Sequence, residues 1–248
     1  VNFMKNYLGP MFEERKLTAE IWCGTMSKDP DDTDIALTAA KDDAAMKYIK
    51  GFGVQWNPLG AVPTLAAKGP VMQTEHRCGN YNFDSDYWKQ SQYNSSKAQN
   101  DHAYGEESWQ LIRDWVFAGV NSYSAWNMVL DTVGKSLDGW PQNALLVVVK
   151  TQKRLIQTPA YYVFRQFGQF VLPGAKRIGA TTSNTALKGL ATQTWNGWNV
   201  MAFKNADGSI VTEVYNKGSS ALTLTVKVGS TLYQISVPAH GWDTLNVR

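Results

Sequence analysis

The sequence predicts two fold types in series, a parallel α/β region followed by a β-sandwich. Two observations carry this expectation. Strand and helix patterns alternate to about residue 172, as they do in parallel βα units. From Ala175 onward, β-rich runs follow one another at short spacing, with turn signals at Asn196-Gly197, Asp207-Gly208, Lys217-Gly218, Gly229-Ser230 and His240-Gly241. The boundary falls near Pro173, which gives regions 1–172 and 173–248.

The elements follow in order. Phe3, Tyr7, Leu8, Met11 and Phe12 recur at helical spacing, with Pro10 expected to kink the helix. No helix start signal precedes them, as if something upstream had been removed. Glu20 to Thr25 reads as a strand, and the Asp-rich stretch Asp29 to Asp34 as a solvated loop without calcium-loop spacing. Asp42 to Ile49 reads as a helix ended by Gly51. Phe52 to Trp56 is a strand stopped by Pro58, and Ala61 to Ala67 a short helix. Val71 to Thr74 is a strand leading to Glu75, and a long polar loop runs from Gly79 to about Asp101. Glu106 to Phe117 and Pro159 to Phe170 read as helices, and Ser122 to Trp126 as a strand followed by Asn127. The sandwich runs are 177–182, 189–194, 199–204, 209–216, 222–228, 233–237 and 243–247.

Composition excludes some function classes. The 248 residues carry a net charge of +3 and only 18% charged residues. No basic block interleaves with aromatics, so nucleic acid is not an expected partner. No apolar run of ~20 residues is present, so no membrane span is expected. His76, His102 and His240 are scattered, and none has ligand spacing with Cys23 or Cys78, so no metal or cofactor site is expected. The two Cys fall near the ends of strands that are not neighbours. Strands two places apart lie roughly 9–10 Å from each other, beyond the ~7 Å a disulfide spans, so two free thiols are expected. Ten Trp residues are mostly core, although flat rings in a cleft also suit sugar faces.

Glu75 is the candidate for chemistry. It closes the apolar run Pro70-Val71-Met72-Gln73-Thr74, and polar, turn-prone residues follow it. In a parallel α/β barrel, strand ends on that side form the active-site floor. A carboxylate there serves either as a catalytic group or as a salt-bridged or capping residue.

Taken together, the motifs resemble glycoside hydrolase family 30, which includes glucosylceramidases and β-1,6-glucanases. The resemblance covers nearly the whole chain. It rests on Asn6-Tyr7-Leu8-Gly9-Pro10, Ile21-Trp22, the run from Lys47 to Trp56, Gln73-Thr74-Glu75, Ser124-Ala125-Trp126-Asn127, Thr158-Pro159-Ala160-Tyr161-Tyr162 and the run from Asn205 to Ser209. It implies the second half of a (β/α)8 barrel, strands five to eight, followed by a β-sandwich. An intact barrel takes ~250 residues by itself, and the α/β region here has about 172. The sandwich is expected to lack a strand that the family supplies from ahead of the barrel.

The resemblance also implies roles. Glu75 would be the nucleophile of a retaining β-glucosidase or glucanase, forming a covalent glycosyl-enzyme. Trp126 and Asn127 match the family's pair at the sugar pocket, and Cys78 a position behind the nucleophile. Trp56 and Asn57 fall where the family often has His-Trp-Tyr, so Asn57 lacks the aromatic hydroxyl that would contact the nucleophile. At the end of the family's fifth strand this chain has Thr25-Met26-Ser27 in place of an Asp or similar group.

Retaining catalysis needs a second carboxyl ~5–5.5 Å away, and the family's Asn-Glu-Pro acid/base motif is not in this chain. Asp84, Asp86 and Asp131 are the substitutes within reach in sequence. Glu20 stands at the wrong end of its strand, and Glu106 and Glu107 read as helix-start residues. The expected partner is a β-glucoside, with the open barrel edges covered by a second copy or by the missing half. Secretion is expected for an enzyme of polymeric or lipid glycosides. The alternative is a carbohydrate-binding remnant, or a fragment of a longer enzyme.

Overall fold

The computed structural model describes residues 1–28, 31–78, 102–135, 139, 144–189 and 197–248. The long loop 79–101, with Asp84 and Asp86, lies outside the described residues, as does most of the run 189–194. Packing divides the chain into two compact units, 1–76 with 114–126, and 77–113 with 127–248. This partition by packing differs from the division by fold type near Pro173.

The first unit opens on a π-helical turn, Met4–Leu8, which passes into α1, Gly9–Glu14. Pro10 stands in the first turn of α1, directly after the π-helical turn. Then come β1 (Ile21–Met26), α2 (Asp31–Ala40), α3 (Asp43–Met46), β2 (Ile49–Gln55), α4 (Val62–Ala66) and β3 (Val71–Arg77). The last five residues of α5 (His102–Ala118) and β4 (Ser122–Trp126) complete the unit. The strands form one sheet in the order β1-β2-β3-β4, with β1·β2 and β2·β3 parallel. Asn121 meets Val71 and Ser124 meets Gln73, so β4 runs in the same direction as β3.

One sheet face buries Ile49, Phe52, Val54 and Val71 against Ala36, Ala39, Ala45, Val62, Leu65 and Trp115 of the helices. Each fully buried large apolar side chain contributes roughly 1.5–3 kcal/mol. The small Ala residues of α2 and α3 let those helices lie close to the sheet.

Three expectations need correction in this unit, the first of them only from residue 31 on, since 29 and 30 lie outside the described residues. The Asp-rich stretch is not all loop, because α2 begins at Asp31. The helix expected over 42–49 is a single turn, capped by Asp42, whose Oδ1 accepts the Ala45 N–H at 3.0 Å. Asp42 also pairs with Lys5 at 2.6 Å. Gly51 ends no helix; it lies inside β2. A Cβ there would stand 2.4 Å from Cζ3 of Trp22 and 2.6 Å from the Pro70 carbonyl, so the strand needs glycine for close approach.

In the second unit, β5 (Val129–Asp131), β6 (Leu146–Val149) and β7 (Arg154–Gln157) form a small mixed sheet. These strands were not expected, although Leu145-Leu146-Val147-Val148-Val149 is a β-branched apolar run that signals one. Helix α6 (Pro159–Phe170) starts where expected; Oγ1 of Thr158 accepts the Tyr161 N–H. β8 (Lys176–Ile178), β9 (Val200–Lys204), β10 (Ile210–Asn216) and β13 (Gly241–Val247) form an antiparallel sheet in the order β13-β10-β9-β8. The hairpin β11 (Leu222–Val228) and β12 (Thr231–Val237) faces it. Leu187, Val200, Val214, Leu224 and Val237 pack between them, which makes this a β-sandwich. A groove of about 1000 Å³ stays open between the sheets, lined by alternate residues of β9 and β10 but by consecutive residues of β11, Thr223 to Val228. Residues of one strand that line a groove consecutively present its edge as well as its face.

Candidate active site at the end of β3

The pairing of β2 with β3 slips once. Val54 faces Gln73 and Gln55 faces Glu75, so Thr74 is an extra residue, a β-bulge. Its Oγ1 donates to the Val54 carbonyl at 3.2 Å. The bulge changes the phase of the strand. Val71 and Gln73 are buried while Met72 and Thr74 are exposed; beyond the bulge His76 is buried and Glu75 is half-buried. Without the extra residue, Glu75 would point with Val71 and Gln73 into the packed face. Glu75 also lies inside β3 and not after it, as the strand continues to Arg77.

Trp56 follows β2 and holds Glu75 twice. Its indole Nε1–H donates to Oε1 of Glu75 at 3.0 Å, and its backbone N–H donates to the Glu75 carbonyl at 3.1 Å. The Trp56 backbone is left-handed, with φ 59°, a rare conformation for a bulky residue. Its ring lies 5.4 Å from the His76 ring, which in turn contacts Trp115 at 5.4 Å and Tyr123 at 5.8 Å.

The other expected residues are placed as follows. Trp126 is the last residue of β4 and is 40% exposed. Asn127 is half-buried, and its carbonyl accepts the Leu145 N–H. Cys78 has no exposed surface; its Sγ lies 3.7 Å from the Asn127 carbonyl, and burial pushes its thiol up to about 12. Cys23 and Cys78 are both free. Asn57 is exposed, with its N–H bonded to the Gln55 carbonyl. His76 and Gln73 were not singled out from sequence. Gln73 is fully buried, and its Oε1 accepts the Ser124 N–H at 3.0 Å, tying β3 to β4.

No second carboxyl touches Glu75 among the described residues. Asp131 is ill suited to donate a proton: Oδ2 pairs with Lys150 at 2.8 Å, and that hydrogen bond holds its carboxyl below the usual range and so ionised. Glu106 does not start a helix, because α5 begins four residues earlier. Its Oε1 accepts the Tyr215 hydroxyl at 2.7 Å and lies 3.2 Å from Nδ1 of His240. Glu20 accepts the indole N–H of Trp22 just ahead of β1. No cluster of three or more His, Cys, Asp or Glu that could hold a metal occurs among the described residues. No described helix is long and apolar enough to cross a membrane.

Residues 174–245 match the model of the glycosyl hydrolase family 30 beta sandwich domain. Over that stretch the chain resembles the β-sandwich domain of glycoside hydrolase family 30. Over 98% of its length it is 26% identical to a Caenorhabditis elegans protein named by inference as glucosylceramidase 4, and it covers 46% of that protein. SrfJ from Salmonella typhimurium superposes on the whole chain with a TM-score of 0.72 at 20% identity, over 52% of its own length. An endo-β1,6-glucanase superposes on 99% of the chain with a TM-score of 0.70 at 19% identity, again over 52% of its length. At these identities the structural matches establish the fold. The chain spans about half the length of the relatives it matches.

Proposed function

We propose that the protein is a retaining glycoside hydrolase acting on β-glucosidic bonds, with Glu75 as the nucleophile. The observation that carries this reading is the bulge in β3, which turns Glu75 out of the packed face to where Trp56 holds its carboxylate. Family 30 kinship supports the reaction class. In the proposed step, Glu75 attacks the anomeric carbon and the glycosidic oxygen leaves with the bonding electrons. Trp126 would contact the sugar, Trp56 would line the pocket through its hold on Glu75, Asn127 and Asn57 would supply polar contacts, and Cys78 would stand behind the nucleophile.

The reading extends to the fold. β1 to β4 would be strands five to eight of an eight-stranded barrel. The acid/base carboxyl would then come from the other half, carried by a second copy or by further polypeptide. Among the described residues β11 pairs only with β12, so its other edge suits a strand supplied from the same source. Polymeric or lipid glycosides as substrates would place the protein outside the cell.

A second reading is favoured by the lack of a carboxyl partner for Glu75 among the described residues: a catalytically incomplete, carbohydrate-binding remnant. 2,4-Dinitrophenyl β-glucoside separates the two, because its leaving group needs no general acid. The enzyme reading expects a burst of dinitrophenol and one added hexosyl mass per chain, both lost in Glu75→Gln. A remnant gives neither.

A further inference from the structure

Resting on the nucleophile reading above, we infer that Trp56 is the positioning residue for Glu75. Position 57 is an exposed Asn, bonded through its backbone to Gln55. The carboxylate instead takes its hydrogen bond from the neighbouring indole.

Three features support this. The first is the pair of bonds. One side chain and its own backbone both grip Glu75, the indole at Oε1 and the amide at the carbonyl. Strand and carboxylate are therefore fixed together. The second is the left-handed backbone of Trp56. A bulky residue adopts it only where its surroundings over-determine it, and here the conformation accompanies both bonds. The third is His76, whose ring packs beside the Trp56 ring and is itself wedged between Trp115 and Tyr123. Glu75 and His76 are consecutive in β3, so one strand carries both the carboxylate and the support for its donor.

The chemistry follows from the donor type. An indole N–H donates and cannot accept. It occupies Oε1, and no other described residue hydrogen-bonds the carboxylate, so Oε2 is the oxygen left to attack. In the step above, Oε2 forms the bond to the anomeric carbon while the bond to the leaving group breaks, and dinitrophenolate departs with the electron pair. No proton transfer is needed for that leaving group. The Trp56 side chain thus selects which oxygen attacks and keeps it aimed.

The test compares Trp56→Phe, which keeps a ring and loses the N–H, with Trp56→His, which restores a ring N–H. The measured quantities are the rate of hexosyl addition from 2,4-dinitrophenyl β-glucoside and the substrate concentration at half-maximal rate. The expected result is a roughly 10–100-fold slower addition in Trp56→Phe, as misplacing a reacting group brings. Half-saturation should stay within about twofold of the parent, and Trp56→His should recover part of the rate. An unchanged rate in Trp56→Phe overturns the inference, and so does a rate loss matched by an equal loss of sugar binding, which marks a sugar platform. Parent protein that forms no adduct overturns the nucleophile reading and this inference with it. A readout free of activity guards against misfolding: the Trp56 indole N–H resonance should shift in Glu75→Ala, and an unmoved resonance contradicts the bond.

Discussion

Glu213 should make the protein less stable as pH rises through neutrality. It sits in the middle of β10, opposite Met201 of β9 and Thr244 of β13, with no exposed surface. The Thr244 hydroxyl donates to Oε2 at 2.7 Å, and Oε1 has no hydrogen-bond partner. Among the described residues no ion pair with a cation compensates the carboxylate, and the neighbouring Asp243 repels it. Burial chiefly, and Asp243 in addition, push the carboxyl up to about 8 from an ordinary 4.5. Between those two values the native state holds a proton that the unfolded chain has released. Stability is therefore fully present below about pH 4.5 and is lost as pH rises toward 8. At 1.36 kcal/mol per unit, the loss between pH 5 and 8 is about 3 kcal/mol. Glu213→Gln stays neutral throughout and can still accept from Thr244, although its amide brings donors that need partners. Its offset from the parent at pH 5 is thus about 1 kcal/mol in either direction. The informative quantity is how that offset changes. Thermal melts of both proteins across pH 5 to 8 should show the variant gaining on the parent by roughly 6–12 °C, at ~2–4 °C per kcal/mol for a chain of this size. An offset that stays constant with pH would refute the argument and mean that Glu213 is ionised and compensated in the fold.

Three further outcomes are expected. Gly51→Ala should lose about 1–3 kcal/mol, because its Cβ meets the Pro70 carbonyl as well as the Trp22 ring. Gly179→Ala, which meets nothing within 4 Å, should be neutral or slightly stabilising, both variants being read by urea titration against the parent. Iodoacetamide at pH 8 should leave Cys78 unmodified in the native protein and modify both thiols after denaturation. Fast native labelling of Cys78 would contradict its burial and raised thiol.

Much of the fold is legible in the sequence because its signals are local. Alternation in 222–228, the Thr158-Pro159 start of α6 and the Ser122 to Trp126 strand each carry their own pattern. The misses come from long-range packing. Gly51 looks like a helix stop until Trp22 and Pro70 are seen pressing on it from neighbouring segments. Asp31 to Asp34 looks like a loop because charge hides a helix start. At the site, Glu75 is visible as the end of an apolar run. The bulge at Thr74, the turn of Trp56 toward the carboxylate and the His76 support are not, since each depends on how two strands register.

The central claim is that Glu75 is the residue that becomes glycosylated. A 2,4-dinitrophenyl 2-deoxy-2-fluoro-β-glucoside gives an ester stable enough to survive trypsin digestion. The tryptic peptide 69–77 contains a single side-chain carboxyl, that of Glu75. Peptide mass spectrometry should find the fluorohexosyl increment on that peptide, with fragment ions that place it at Glu75. An adduct on any other peptide, or none on a protein that still binds the sugar, would contradict the account.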